Sequence, residues 1–569
     1  MQRFKTVKLV GLLSFFFIGV SSCNKMLDVK PGDVLVDENM YQNVYDADAA
    51  IMGIYGKLMN LSETYVVLNE LRADLTSVTA NASNDLVEIN EHRVTANNAY
   101  ANPRPFYEVI LSCNDVLKNF NSMRQQNKLN LEQYSTRYSD VMAVRSWVYL
   151  QLGIHFGAVP YVTDAIETVK DVRNLNNAPK ISFDALLTNL IADLTNVPYL
   201  AQYPAGTSLV TTVDGWNTEK FFINKKVLLA QLHLWKNNYL QAATLFKEVL
   251  DGAGATGYDQ YRIRYADVID HNDLSVGYTR YYEWDENALV NTNTQGWRSI
   301  FARSQDAIFN WEWVWFLPFS KDFAPANPFI DLFSNRGGKY LLKPSQFAID
   351  YWNSQEQKNN FPYDARGKKF TWQLLDGQPV VVKYLYNYLD PNTYQPIDPL
   401  AKNGKWLLYR AAAMNLEYSE AANRDGYTRL AYALTNSGIN INGGSTYQTP
   451  EPYRFDARIV NTPTYRGPWH RNIGIRGRAM LKSDTIPTSS VADSVIFVEN
   501  QIIREGALEL AYEGKRWPDL LRVALRRNDA SFLADKVYQK LLREGNGQAA
   551  AVRNKLMNRD NWYLPFRLY

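Results

Sequence analysis

Three glutamates, Glu505, Glu509 and Glu513, recur every fourth residue, so a helix would align three carboxylates along one face. Close carboxylates are what general acid/base hydrolysis of a glycosidic bond requires. Arg504, Lys515, Arg516 and Arg522 surround them in sequence, however, and carboxylates spaced in this way among basic residues read as a solvated or ion-paired face. The five histidines, His92, His155, His233, His271 and His470, are dispersed, and neither His-Glu-x-x-His nor Cys-x-x-Cys occurs. A zinc site is therefore not encoded locally, and no cofactor is expected. Asp267, Asp270, Asn272 and Asp273 are oxygen-rich enough for calcium but lack the EF-hand order, and read as a polar turn. A phosphate-binding loop and a Gly-x-Ser-x-Gly nucleophile elbow are both missing. Cys113, within an apolar helical stretch, reads as a small buried residue.

What remains is aromatic surface. Tyr278 to Phe319 holds 12 aromatics in 42 residues, 29% against 13% for the whole chain, an excess that needs a cause. Trp311, Trp313 and Trp315 alternate with Glu312, Val314 and Phe316, so a strand would place the indoles on one face; their apolar flanks assign them to packing. Tyr281, Tyr282, Trp284 and Trp297 lie among Glu283, Asp285, Asn287, Asn291, Asn293 and Gln295, which predicts an exposed loop. An exposed indole stacks on the apolar C–H face of a sugar, while Asn, Asp, Gln or Arg side chains hydrogen-bond its hydroxyls. These four aromatics are the first ligand-binding candidates.

The elements that must position them are mainly helical. The clearest stretch is Phe222 to Leu250, where apolar residues step by three or four, Asn237 and Asn238 interrupt, and the pattern resumes. Leu229, Ala230, Tyr239, Ala242 and Phe246 fall at the spacing of a tetratricopeptide repeat. A poorer copy runs from Arg410 to Asn423, then from Tyr427 to Leu434 after Asp425 and Gly426. Helices are also predicted at Ala47–Leu61, Phe106–Met123, Glu132–His155, Phe183–Leu194 and Val498–Leu521. Stacked helix pairs share a continuous core, which predicts one large α-domain. Residues 252–405 and 440–480 are rich in Gly, Pro, Asn, Asp and aromatics and read as elaborations, with short strands at Ala307–Phe316 and Pro379–Tyr386.

The amino terminus carries an address. Arg3, Lys5 and Lys8 precede an apolar stretch of twelve residues, Leu9 to Val20, too short for the ~20 that span a bilayer. The following Val20-Ser21-Ser22-Cys23 resembles the lipobox of bacterial lipoproteins, which implies cleavage after residue 22 and diacylation of Cys23. Lys and Arg number 61 against 58 Asp and Glu, and loss of the leader's three cations leaves the mature chain formally neutral. Lipid, not a polybasic surface, would then hold it to the membrane. No block of like charge supplies a footprint for nucleic acid. With only Cys23 and Cys113, a disulfide scaffold is excluded as well.

Glu509-Leu-Ala-Tyr-Glu-Gly-Lys-Arg-Trp-Pro-Asp-Leu-Leu-Arg522 resembles the carboxy-terminal signature of the SusD/RagB family of nutrient-binding outer-membrane lipoproteins. Cys23-Asn24-Lys25 with Leu27-Asp28, Arg145-Ser146-Trp147 leading to Phe156-Gly157-Ala158-Val159-Pro160, Asp364-Ala365-Arg366 and Tyr563-Leu564-Pro565 agree in order. Gly506-Ala507 departs from the arginines often found there. The resemblance implies a mainly α fold, an α-α superhelix of four tetratricopeptide-like helix pairs carrying a loop-rich subdomain, and a mature domain spanning 23–569. It implies a non-catalytic protein at the outer-membrane surface that binds oligosaccharide as a lid on a SusC-like TonB-dependent transporter. A polar segment, Arg72, Asp74, Asn81, Asn84 and Asp85, lies where family members often contribute to the ligand cleft and supplies the second set of candidates. Peptide capture by the same architecture, a surface glycoside hydrolase and a protein-binding tetratricopeptide scaffold remain the alternatives.

Overall fold

The helices start where short polar side chains can satisfy their free amides. Asn43 opens α1 (Val44–Met59) in a reciprocal capping box with Asp46. Asn130 does the same for α3 (Leu131–Phe156) with Gln133, following α2 (Arg104–Gln125). Ser182 caps α4 (Phe183–Thr195), and Asn224 caps α5 (Lys225–Trp235). The chain then reverses through Asn237, at φ 62°, into α6 (Tyr239–Asp251). Further along come α7 (Ala411–Arg424), α8 (Thr428–Thr435), α9 (Val491–Glu509), α10 (Arg516–Arg527), α11 (Ala530–Arg543) and α12 (Ala549–Leu556). This computed structural model describes residues 40–166, 178–252, 261, 263, 293, 296–303, 312–358, 360–439, 446–447, 449–470, 472–487 and 489–568.

Four chain-adjacent pairs pack side by side: α2 on α3, α5 on α6, α7 on α8 and α11 on α12. Contacts of α3 with α4, α4 with α5, α6 with α7, and α7 and α8 with α9 continue the stack. Small residues let the helices close up. Ala230, Ala242 and Ala243 are fully buried beside Phe246, as the repeat spacing predicts. A Cβ on Gly153 of α3 would stand 2.4 Å from the ring of Phe183, so only glycine admits α4 at that distance. The expected α-superhelical fold is thus present, and its buried side chains belong to one hydrophobic cluster. Among the described residues no helix is long and apolar enough to cross a membrane.

The helix predicted over Val498–Leu521 is two helices. Between α9 and α10 the backbone turns left-handed at Tyr512 (φ 69°) and Gly514 (φ 74°). A Cβ on Gly514 would lie 2.1 Å from Tyr65, so the glycine is fixed both by conformation and by space. Outside the helices, every described sheet has two strands. The longest is an antiparallel ribbon of β1 (Trp313–Phe319) and β2 (Gly404–Arg410), with Gly404 opposite Phe319 and Arg410 opposite Trp313. It is buried on both faces, which answers the packing expected of Trp313 and Trp315; Trp311 lies outside the described residues. In the other predicted strand only Gln378–Val381 pairs, with Trp372–Leu375, and Tyr384 and Tyr386 occupy a buried turn.

Candidate functional site

The ribbon's two ends do different things. At the Gly404/Phe319 end it floors an open cleft of about 410 Å³. One wall is a two-residue hairpin, Thr212–Val213 paired with Trp216–Asn217, whose Asp214-Gly215 turn takes positive φ at both positions (51° and 82°). That turn places Asp214 at the rim and leans Trp216 on Trp313 and Phe316, with ring centroids 5.8 and 5.4 Å apart. Phe221 meets Phe316 edge-on at 5.2 Å and lines the cleft beside them. The opposite wall is the loop after β1, where Phe323 is 76% exposed. Asn403 holds that loop by accepting from the Lys321 amide at 2.8 Å, and Asn327 donates to the Asn403 carbonyl at 3.0 Å. Position 404 must be glycine for this, since a Cβ there would sit 2.2 Å from the Asn327 amide nitrogen. Trp216, Phe221 and Phe323 therefore offer apolar rings, and the Asp214 carboxylate and the Asn403 side-chain amide keep unspent hydrogen-bonding capacity at the rim.

Behind this wall lies a buried lysine. Lys405, next to Gly404 on β2, donates to the Arg303 carbonyl at 2.5 Å and to Asn387 Oδ1 at 2.6 Å. Asn387 lines the cleft and donates in turn to the Ala302 carbonyl at 2.8 Å. The ammonium stands 5.3 Å from the Trp216 ring centroid and 5.5 Å from that of Trp313. Burial, with Arg303 nearby, brings its pKa down to about 7.

The Arg410 end of the ribbon enters a network of buried charge. Five cations, Arg366, Arg410, Arg476, Arg478 and Lys383, face five carboxylates, Asp364, Glu312, Glu505, Glu509 and Glu513. Glu509 alone accepts from Arg366 at 2.7 Å, Arg410 at 2.8 Å and Arg478 at 2.5 Å. Burial by itself would raise its pKa, but Arg478, Arg410 and Arg366 outweigh that and hold the carboxyl at about 2. The three glutamates are thus ion-paired as expected, but buried and not solvated, and with distant cations: of their basic sequence neighbours, Arg504 pairs with Asp484, Arg516 with Asp74 and Arg522 with Glu420. A carboxyl held that low cannot supply a proton near neutral pH.

Most of the sequence-predicted ligand residues lie elsewhere. Tyr281, Tyr282 and Trp284 fall outside the described residues, as do Cys23 and the Asp267–Asp273 group. Trp297 is not an exposed loop indole: it is 1% exposed, with the guanidiniums of Arg410 and Arg478 at 5.3 and 5.6 Å from its ring. The short helix Ser299–Ala302 that follows draws it into the charge network. Arg72 and Asp74 are also buried, and neither lines the aromatic cleft. Asp74 forms an ion pair with Arg516 at 2.6 Å, and Arg72 lies 4.0 Å over the Trp517 ring and donates to the Trp562 carbonyl. Their polarity serves to join the chain's two halves. Asn81 and Asn84 are exposed, but Asn81 donates to the Lys339 carbonyl at 3.1 Å and Asn84 to Glu88 at 3.0 Å, and neither lines the aromatic cleft. Cys113 is buried, as expected, with its thiol pushed up to about 12 by burial. Trp216, Phe221, Phe323, Asp214 and Asn403 were not singled out by the sequence; the Asp-Gly turn flanked by Val213 and Trp216 is the signal that marks their hairpin.

The fold matches that of solved SusD superfamily structures. A SusD superfamily protein from Bacteroides vulgatus superposes with a TM-score of 0.57 at 15% identity, over 90% of this chain and 93% of that one. A laminarin-binding SusD-like protein gives 0.54 at 16% identity, over 90% and 98%. In sequence, the SusD-like protein P38 of Formosa agariphila is 21% identical over 545 residues, 92% of each chain. No family model matches the chain. The resemblance to the SusD/RagB family read from the carboxy-terminal signature holds along the length of the fold.

Proposed function

We propose that the protein is a non-catalytic, lipid-anchored glycan-binding protein of the outer membrane, with residues 23–569 forming one SusD-like domain held to the lipid through Cys23. Oligosaccharide captured at its surface passes to a SusC-like TonB-dependent transporter. The observation that carries the glycan reading is the cleft over the ribbon, where Trp216, Phe221 and Phe323 can stack on sugar rings while Asp214 and Asn403 meet hydroxyls. A SusD-like protein of the same fold binds laminarin, which supports the ligand class. The burial and ion-pairing of Glu505, Glu509 and Glu513 speak against a hydrolase built on them.

Titration calorimetry against a polysaccharide panel, with laminarin included and peptides as a second set, tests this. Trp216→Ala should weaken the best glycan by about 1–3 kcal/mol, by analogy with stacking of bases on aromatic side chains. Phe323→Ala, at a residue with little packing to lose, should weaken it without altering the melting temperature. Wild-type affinity in both variants would place the ligand outside this cleft, and binding of peptides alone would reassign the cargo.

A further inference from the structure

Among the described residues five lysines are buried, and four have carboxylates to offset the charge. Lys247 pairs with Asp251, and Lys383 with Glu513 at 2.8 Å. Lys225 feels Asp140, and Lys540 feels Asp74, Glu544 and Glu91. Lys405, 7% exposed, has no such partner among the described residues; its two bonds run to neutral oxygens, and the charge that acts on it is another cation, Arg303. Buried charges are paired as a rule, and a group left without its counter-ion at the back of a cleft marks where a ligand's charge belongs.

Resting on the reading of the cleft as the glycan site, we infer that the saccharide it is built for is acidic, carrying a carboxylate or sulfate group, with Lys405 as the positioning residue that sets this preference. The ammonium reaches the cleft by field, through a single layer of protein. Gly404 and Asn403 precede it in the chain and line the cleft; Asn387, which it holds, and Trp216, which it underlies, line it too. Across so thin a low-dielectric wall a unit charge acts with far less screening than through water. The groups round Lys405 are Arg303 behind it, Asn387 beside it, the Trp216 and Trp313 rings near its ammonium, and Pro318 opposite it on the ladder. Asp214, the carboxylate at the rim, is exposed to solvent and screened by it, and its place is with hydroxyls. Because Lys405 titrates near pH 7 in the empty protein, an anion bound at pH 8 draws a proton onto it, whereas a neutral sugar does not.

Matched ligand pairs test this: oligogalacturonate against its methyl ester for the carboxylate, and a sulfated galactan against its desulfated form for the sulfate, with laminarin as a neutral reference. In calorimetry at pH 8 the acidic member of at least one pair should bind about tenfold tighter than its neutral partner. Its apparent enthalpy should differ between phosphate and Tris buffers, reporting proton uptake. Lys405→Met should remove the preference and the proton uptake while Lys405→Arg keeps the preference; if Lys405→Met fails to fold, the buffer comparison on the wild-type protein decides. Neutral ligands binding as tightly as their acidic partners would overturn the inference and leave the glycan reading standing. Failure of every saccharide to bind would overturn both.

Discussion

Glu509→Gln removes one negative charge from a buried network of five cations and five carboxylates and leaves a cation uncompensated. The cost follows from the titration of the group. A carboxyl held at about 2 against a usual 4.5 is stabilised in its charged form by about 3 kcal/mol. That matches the ~3–5 kcal/mol expected when one partner of a buried ion pair is deleted. Since the folded-state pKa is depressed, this stability is fully present above pH 4.5 and fades as pH falls toward 2. Guanidinium unfolding at pH 7 should therefore show Glu509→Gln less stable by about 3 kcal/mol, with the gap narrowing below pH 4.5. A double variant, Glu509→Gln with Arg478→Gln, restores charge balance and should lose less than the sum of the two single variants. A single variant within about 1 kcal/mol of wild type, or strict additivity in the double, would refute the view that this network is held together by its balance.

Glu70 should behave in the opposite sense. Burial raises its pKa to about 7 even though the amides of Gly514, Lys515 and Arg516 point at it, so its contribution is intact below pH 4.5 and declines as pH rises through 7. Glu70→Gln keeps an acceptor for those amides and should melt higher than wild type at pH 8 while differing little at pH 4.5, as calorimetric scans would show. At the amino terminus, Cys23→Ala should move the protein from the membrane to the soluble fraction with its helical circular dichroism unchanged, because acyl chains would be its attachment; persistent membrane association after carbonate washing would remove the lipid anchor from the proposal.

Local physics made the scaffold legible and left the cleft hidden. Alternating caps and apolar steps are written within single segments, so α5 and α6, with the left-handed Asn237 between them, could be read directly. The cleft draws on Met59, residues 213–221, 318–324, Asn387 and 403–404, five stretches that no periodicity connects. Polarity in the sequence misled for a related reason. Arg72 and Asp74 look like ligand contacts until Trp517 and Arg516, more than 440 residues away, are seen to consume them. Trp297 misled similarly: its polar neighbours suggest exposure, whereas two distant arginines close over its ring.

The carboxy-terminal signature that identifies the fold has little capacity left for a ligand. Glu509 and Glu513 are spent on arginines and a lysine, Tyr512 donates to the Leu75 carbonyl at 3.2 Å, Gly514 sits against Tyr65, Arg516 holds Asp74, and Trp517 carries Arg72. Its residues lock the amino-terminal segment to the end of the helical stack and clamp Arg410, the last residue of β2. Because the ribbon is buried on both faces, fixing it at Arg410 also fixes Gly404 and Phe319 at its far end, where the cleft begins. If the cleft binds saccharide as proposed, it would be preorganised by charge buried at the opposite end of one strand pair, and less of the binding free energy would be consumed in ordering the site. On that proposal the signature would stay with the fold while the loops over the ribbon set which saccharide is taken.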